Sequence, residues 1–464
     1  MNALDLLYIP LAIITAPVWA GKKRHGWRER FGHTPALPAP TRPRVLLHAV
    51  SVGEVNALRP LVPLLTPHVE VVISATTDTG LTRARELFDQ TCTVVRYPLD
   101  FSWAVRRFLN AIRPDAVALV ELEVWPNFVR ECARRSIPVG IINGRLSERS
   151  FRGYRRLRGF FGGLLRRLAF AAVQDEAYAE RFRALGMPED RCLITGSMKW
   201  DSAYVAGEGV PLVPGAVELA TELGIDRARP LIVAGSTGPG EEELLHNATP
   251  PEVQLLCAPR KPERFDEAAA ALPGCVRRTQ RPAGSPAGRP ADRFLLDTIG
   301  ELRKAYSLAD VVVVGRSFGD LFGSDPIEPI GLGKATVIGP AVDDFATVVE
   351  VFERGGGIVR VTRESLPGVL RDLLADPARR RELGERGRAC IRGQQGASRR
   401  HADLILGLVA RPDGTQLAQE QRDTTSFAPP VEGFWPGRAK DPSDGDLCGG
   451  PFLWMICNRT SGSP

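Results

Sequence analysis

An α/β fold of two successive doubly wound halves is what this sequence predicts, and three observations predict it. Short, nearly all-apolar runs recur along the chain, amphipathic helical stretches separate them, and the pattern starts afresh after a Gly- and Pro-rich segment at 203–229. Runs of this kind suit strands covered on both faces, as in parallel sheets whose crossovers are helices.

The first half opens at RVLLHAV (44–50) and continues through VEVVISAT (69–76), CTVVRYP (92–98), AVALVEL (116–122), PVGIING (138–144) and FAAVQD (170–175). Between them, LTRARELF (81–88) and SWAVRRFLNAI (102–112) read as crossover helices. Residues 203–229 hold no sustained period and read as an inter-domain linker. The second series runs PLIVAGST (230–237), VQLLCAP (253–259), CVRRT (275–279), DVVVVGRS (310–317), ATVIGP (335–340) and GGIVRV (356–361). The expected domains are therefore 22–202 and 230–410, two Rossmann-like units facing a central cleft, with ligand at the carboxyl ends of the strands. Residues 411–464 have low hydrophobicity and many Pro and Gly, and are expected to be mostly disordered, with PFLWMIC (451–457) an exception.

Composition excludes several function classes. Across 464 residues the hydrophobic fraction of 44% and charged fraction of 25% are ordinary globular values, and the net charge of +6 is mild. The eight cysteines stand singly, with no C-x-x-C pair and no cluster with histidine, which argues against structural zinc and for a reducing compartment. Arginines crowd 22–30 and 149–167 without zinc-finger or helix-turn-helix spacing. An acidic lipid or phosphorylated substrate fits them better than nucleic acid, and solvated arginine faces would look the same.

Residues 3–20, ALDLLYIPLAIITAPVWA, are apolar apart from Asp5 and precede the basic collar Lys22, Lys23, Arg24, Arg28 and Arg30. A cleavable signal peptide carries its charges before the apolar run. This order instead predicts a membrane anchor at 1–21 with the downstream chain in the cytoplasm. Pro10 and Pro17 weaken the run, so a spanning helix and a membrane-lying one both stay open, with a buried core helix as the alternative.

The loops that follow the strands carry specific sequences. HAVSVGEVNALRPLVPLL (48–65), ELEVWPN (121–127) and NGRLSERSFRGYRR (143–156) resemble motifs of the Kdo (3-deoxy-D-manno-octulosonic acid) transferases of lipopolysaccharide assembly. AGSTGPGEEE (234–243), APRKPERF (258–265), DTIGELRKAYSLADVVVVG (297–315) and DPIEPIGLGKATVIGP (325–340) are similar to the same family, in the same order. The resemblance covers about residues 4–405. It implies a GT-B fold, a CMP-Kdo donor, a lipid A precursor as acceptor, and inversion at the anomeric carbon with no metal or other cofactor. It also implies a place at the cytoplasmic face of the cell inner membrane.

Glu54 lies in the Ser51-Val52-Gly53-Glu54 turn directly after the first strand. An attacking hydroxyl becomes acidic only as its new bond forms, so a carboxylate within reach in a dry site can accept the proton. The family's general base matches this glutamate; a helix-capping acid is the alternative. Ser236 and Thr237, between a strand end and a helix start at Gly240, suit a nucleotide phosphate, and also suit simple capping. Arg260 offers a charged fork to the departing CMP phosphate, or a surface pair to Glu263. Glu328, in Pro326-Ile327-Glu328-Pro329, can accept from both ribose hydroxyls, or cap a helix.

On the acceptor side the resemblance brings in Glu121. Arg152, Arg155 and Arg156 would make one helical face basic, able to hold acidic headgroups or glycolipid phosphates while Phe151, Tyr154, Phe160 and Phe161 reach the membrane interface. An ordinary basic surface helix is the alternative.

The donor side departs from the family pattern. Gly238 and Lys261 stand where the resemblance leads one to expect histidine, and Phe322-Gly323-Ser324-Asp325 stands for Gly-Gly-His-Asn. Thr195-Gly196-Ser197-Met198-Lys199 stands for Thr-Gly-Asn-Leu-Lys, with Lys199 kept in the donor-binding set. Lys261 is expected to offset Asp325 beside the phosphate. Two readings compete with the transferase: another enzyme on the fold, such as a nucleotide-sugar epimerase, and a non-catalytic membrane-associated relative.

Overall fold

The computed structural model describes residues 2, 4–6, 8, 25–207, 212–280 and 292–410. It divides into two compact units, Met1–Ser202 with the stretch that begins at Gln395, and Ala203–Gln394.

The first unit is built on seven parallel strands: β1 (Arg44–Ala49), β2 (Glu70–Ala75), β3 (Thr93–Arg96), β4 (Ala116–Val120), β5 (Val139–Gly144), β6 (Phe170–Val173) and β7 (Cys192–Ile194). Their order is 3-2-1-4-5-6-7. Alternate residues of β1 feed opposite faces: Val45, Leu47 and Ala49 join one apolar cluster and Leu46 the other. This is why the whole run is apolar rather than alternating. The second unit repeats the plan with β8 (Leu231–Thr237), β9 (Gln254–Pro259), β10 (Val276–Arg277), β11 (Arg293–Leu295), β12 (Val311–Val314), β13 (Ala335–Ile338) and β14 (Val359–Arg360), in the order 10-11-9-8-12-13-14. Strands β7 and β11 are too short to register as apolar runs.

In both sheets the chain winds outward in opposite directions from a central pair. That pair is β1 beside β4 in one sheet and β8 beside β12 in the other. Loops leaving the carboxyl ends of such a pair diverge and open a crevice, the place where doubly wound sheets receive ligands.

Three boundary expectations change. Within 203–229, helix Ala216–Leu223 buries Ala216, Leu219, Ala220 and Leu223 inside the second unit. Its short apolar stripe is masked in the sequence by the surrounding Gly and Pro. The expected 230–410 domain ends at Gln394, because helix Ala397–Ala410 returns to the first unit. There Ala402, Leu404, Ile405 and Leu408 complete the apolar cluster behind β1. His401, wholly buried on the same helix, accepts from the Asn143 N–H at 3.3 Å. Burial drives its pKa down to about 3, so it serves as a neutral acceptor.

The third concerns the N-terminus. Most of the expected anchor at 1–21, and the whole tail 411–464, lie outside the described residues. The described part of the anchor segment is docked on the first unit. Buried Asp5 accepts from the Ser102 N–H at 2.8 Å and the Ser102 hydroxyl at 2.6 Å, and Tyr8 donates to Asp100 at 3.2 Å. Among the described residues no helix is long and apolar enough to cross a membrane.

Candidate active site

The first unit gathers three carboxylates at its switch point. After β1, Ser51 caps the helix Val52–Ala57, its hydroxyl oxygen accepting from the Glu54 N–H at 3.4 Å. The Glu54 side chain reaches back, accepting from the Val50 N–H at 2.8 Å and the Ser51 hydroxyl at 2.9 Å. Those are the bonds of a capping glutamate, and alone they would favour the charged form. The balance runs the other way. Burial lifts the Glu54 pKa well above the carboxylate range, and the neighbouring charges of Glu121 and Glu123 lift it further. The residue is 6% exposed, so water does little to relieve the charge.

Glu121 and Glu123 leave the carboxyl end of β4, the strand beside β1. Burial pushes Glu123 up to about 7; the Trp125 indole N–H, donating at 3.1 Å, counters it, and Glu121 adds to it. Glu121 itself adopts a left-handed backbone with φ of 61°. Asn143 at the end of β5, Ser236 at the end of β8 and Arg316 after β12 do the same, with φ of 52°, 57° and 58°. Left-handed geometry in a residue other than glycine is costly and persists where surrounding structure enforces it, often at functional sites. Glu121 and Asn143 stand at strand ends of the first sheet, and Ser236 and Arg316 at strand ends of the second.

The basic stretch behaves differently from its sequence reading. It forms two helices, Glu148–Arg155 and Arg158–Leu165, with the break at Arg156 and Leu157. Arg152 pairs with Glu148 at 3.1 Å, and Arg155 lies over the Phe151 ring at 5.9 Å. Arg152, Arg155 and Arg156 are exposed, with Arg152 and Arg155 in the last turn of the first helix and Arg156 its C-cap in helical conformation. Tyr154 and Phe161 turn inward as a T-shaped pair with centroids 4.4 Å apart, and Phe151 and Phe160 pack against the same core. The apolar side chain left outward is Leu157, 48% exposed.

In the second unit the expected phosphate loop is partly consumed by its own acids. Thr237 is wholly buried and donates to Glu242 at 2.6 Å, while Glu242 pairs with Arg264 at 2.9 Å. Its hydroxyl therefore serves that ion pair rather than an anion. The Gly238 N–H donates to Glu241 at 2.8 Å. Where a larger side chain was expected at Gly238, the space belongs to Leu321, whose Cδ1 lies 2.6 Å from where a Cβ would sit.

A second group surrounds Tyr306, whose ring lies against Gly235 of β8 so closely that any side chain there would strike its hydroxyl. Burial and the charges of Glu328 and Asp325 push the Tyr306 pKa up, and Arg260 opposes them. Glu328 is itself raised by desolvation, with Arg303 opposing and Asp325 adding. Asp325, just ahead of helix Ile327–Gly331, accepts from the Ile327 N–H at 2.9 Å, a bond the side-chain oxygen of the expected asparagine would accept equally. Arg260 and Asp325 both act on the charge of Tyr306, and Arg260 and Lys261 are both exposed, with Lys261 opening the turn Pro262–Arg264. Lys199 is exposed in the first unit, its N–H donating to the Ser197 hydroxyl at 3.4 Å.

Sequence reasoning passed over Glu123, Tyr306 and Arg303. Glu123 stands two residues from Glu121 in one motif and was legible; the other two read as ordinary helix residues. A cavity of about 590 Å³ opens at the opposite, amino end of the first sheet, among Arg42, Pro43, Asp115, Ser136 and Pro138. It lies away from the converging carboxylates, and chemistry rather than volume locates the site.

Comparison with known proteins adds identity to this geometry. A family model described as 3-deoxy-D-manno-octulosonic-acid transferase (kdotransferase) matches residues 25–202. A 3-deoxy-D-manno-octulosonic acid transferase of Bordetella pertussis is 34% identical over 420 residues, covering 84% of this chain and 94% of the relative. One of Haemophilus influenzae is 29% identical, covering 88% and 96%. Among solved structures, a putative UDP-N-acetylglucosamine 2-epimerase from Listeria monocytogenes is similar with a TM-score of 0.51 at 14% identity, covering 80% of this chain and 96% of that one. The last likeness is one of fold.

Proposed function

The chain belongs to the Kdo transferase family, a family of glycosyltransferases, and we propose that it moves Kdo from CMP-Kdo to a hydroxyl of a lipid A precursor at the cytoplasmic face of the inner membrane. In this reading the acceptor oxygen attacks the anomeric carbon from the face opposite CMP, and configuration inverts. The new carbon–oxygen bond forms as the bond to the phosphate oxygen breaks, CMP leaves with the electron pair, and the hydroxyl proton passes to Glu54.

The observation that carries the reading is the raised pKa of Glu54 in its buried, three-carboxylate setting. A glutamate kept only for capping would sit low; one that must take a proton late in the reaction is helped by elevated basicity. Arg260 supplies permanent charge near Tyr306 and Glu328, so the leaving phosphate can be neutralised without a metal ion. The exposed Arg152, Arg155 and Arg156, next to outward Leu157, suit an anionic lipid surface.

The experiment is release of CMP from CMP-Kdo by the full chain, with and without a lipid A precursor, with and without EDTA. Acceptor-dependent release that survives chelation is expected. Interconversion of a free nucleotide sugar without CMP release would move the chain to the epimerase class. Loss of release in EDTA, restored by magnesium, would end the metal-free route.

A further inference from the structure

We propose that Arg303 reads the nucleobase of the donor, its guanidinium donating to two adjacent acceptors on the edge of cytosine. The proposal rests on the CMP-sugar reading above and adds the residue that selects the base.

Arg303 lies on helix Leu302–Leu308, with its guanidinium carbon 4.4 Å from the centroid of the Tyr204 ring. Its Nε is buried and has no hydrogen-bond partner. Arg278, by contrast, pairs with Glu222 at 2.6 Å and Glu301 at 3.3 Å. Tyr204 is 47% exposed, and the chain beside it is tied to the Glu328 helix by the Ala206 N–H donating to the Gly331 carbonyl at 2.8 Å. Arg303 is also the cation that opposes the rise in the Glu328 pKa. One wall of the second unit thus holds a carboxylate suited to ribose hydroxyls beside a stacked guanidinium with donors unspent.

The chemistry of the base follows. A guanidinium that makes no hydrogen bond within the described protein favours a ligand that brings acceptors to its terminal nitrogens. Stacking on tyrosine holds the planar fork in one orientation, and a base bonded to it edge-on lies in the same plane. Cytosine offers O2 and N3 side by side, both acceptors, the pattern that an arginine fork takes at the edge of guanine. In uracil N3 carries a hydrogen, and the same fork meets a donor. Arg303 therefore prefers a cytidine nucleotide over a uridine one.

The test is calorimetric titration of CMP and of UMP into the full chain, wild type and with Arg303→Lys or Arg303→Met. Wild type is expected to favour CMP, and both substitutions to weaken CMP about 5–150-fold, the size of a bidentate base contact, while UMP changes little. Lysine keeps the charge near Glu328 but not the fork. Because ribose and phosphate are common to both nucleotides, a purely electrostatic or structural role would weaken both alike and preserve their ratio. A preserved ratio overturns the proposal. Equal binding of CMP and UMP by wild type also overturns it while leaving a nucleotide site standing. Binding of neither would sink the donor reading itself and this proposal with it.

Discussion

The two units place a glutamate at the same point of the same topology and use it in opposite ways. Glu54 follows β1 at the start of helix Val52–Ala57, and Glu241 follows β8 at the start of helix Glu241–Ala248. The Glu54 carboxylate accepts from the Val50 N–H and the Ser51 hydroxyl, both within its own turn, and faces the charges of Glu121 and Glu123. Glu241 accepts from four backbone N–H groups: Gly238 in its own loop, and Arg316, Ser317 and Phe318 in the loop after β12. One charge is resisted by its surroundings; the other laces two loops together. The fold supplies the position, and the supply of donors decides whether the acid is reactive or structural.

The sharpest way to break this comparison is Glu54→Gln. It keeps the shape and removes the basic oxygen, so transfer should fall about 10²–10⁴-fold with the fold intact. More than half of wild-type turnover would end the base assignment. The raised pKa also fixes two signs. The proton-accepting form exists above it, so activity should rise with pH along an acidic limb lying above the ordinary glutamate range of about 4.3. Stability from a carboxyl with a raised folded pKa is full below the unfolded value and lost as pH climbs through the folded one. The Gln variant should therefore gain stability relative to wild type as pH rises above the ordinary glutamate value of about 4.3, read from thermal melts.

Glu241→Ala should do the reverse. It strips four N–H groups of their acceptor, and the second unit should lose about 2–4 kcal/mol, read from urea unfolding. A loss below about 1 kcal/mol would mean that water replaces the carboxylate and the latch is not structural. A smaller effect sharpens the contrast from the first unit alone. Asp5→Ala removes the acceptor of the Ser102 N–H and hydroxyl and should cost about 1–3 kcal/mol. Its transition should shift in the first unit and not in the second; an unchanged first transition would detach the N-terminal segment from the core.

Much of this was legible in consecutive residues. Apolar runs such as 44–50 and 310–317 announced β1 and β12, and the Ser51-to-Glu54 spacing announced a capped helix start after β1, because strand burial and capping depend on near neighbours. The loop motifs carried the family, since they preserve residue types at fixed offsets. What tertiary structure alone decided depends on residues distant in the chain. The Glu54 pKa is set by burial and by acids arriving from β4, and helix Ala397–Ala410 is placed by the apolar cluster of the first sheet that it completes. The Thr237 hydroxyl is taken up by Glu242, itself paired with Arg264, a partner that lies outside the local motif. Local pattern fixes which backbone forms; desolvation and hydrogen-bond allocation are three-dimensional sums, and they decide what each side chain can do.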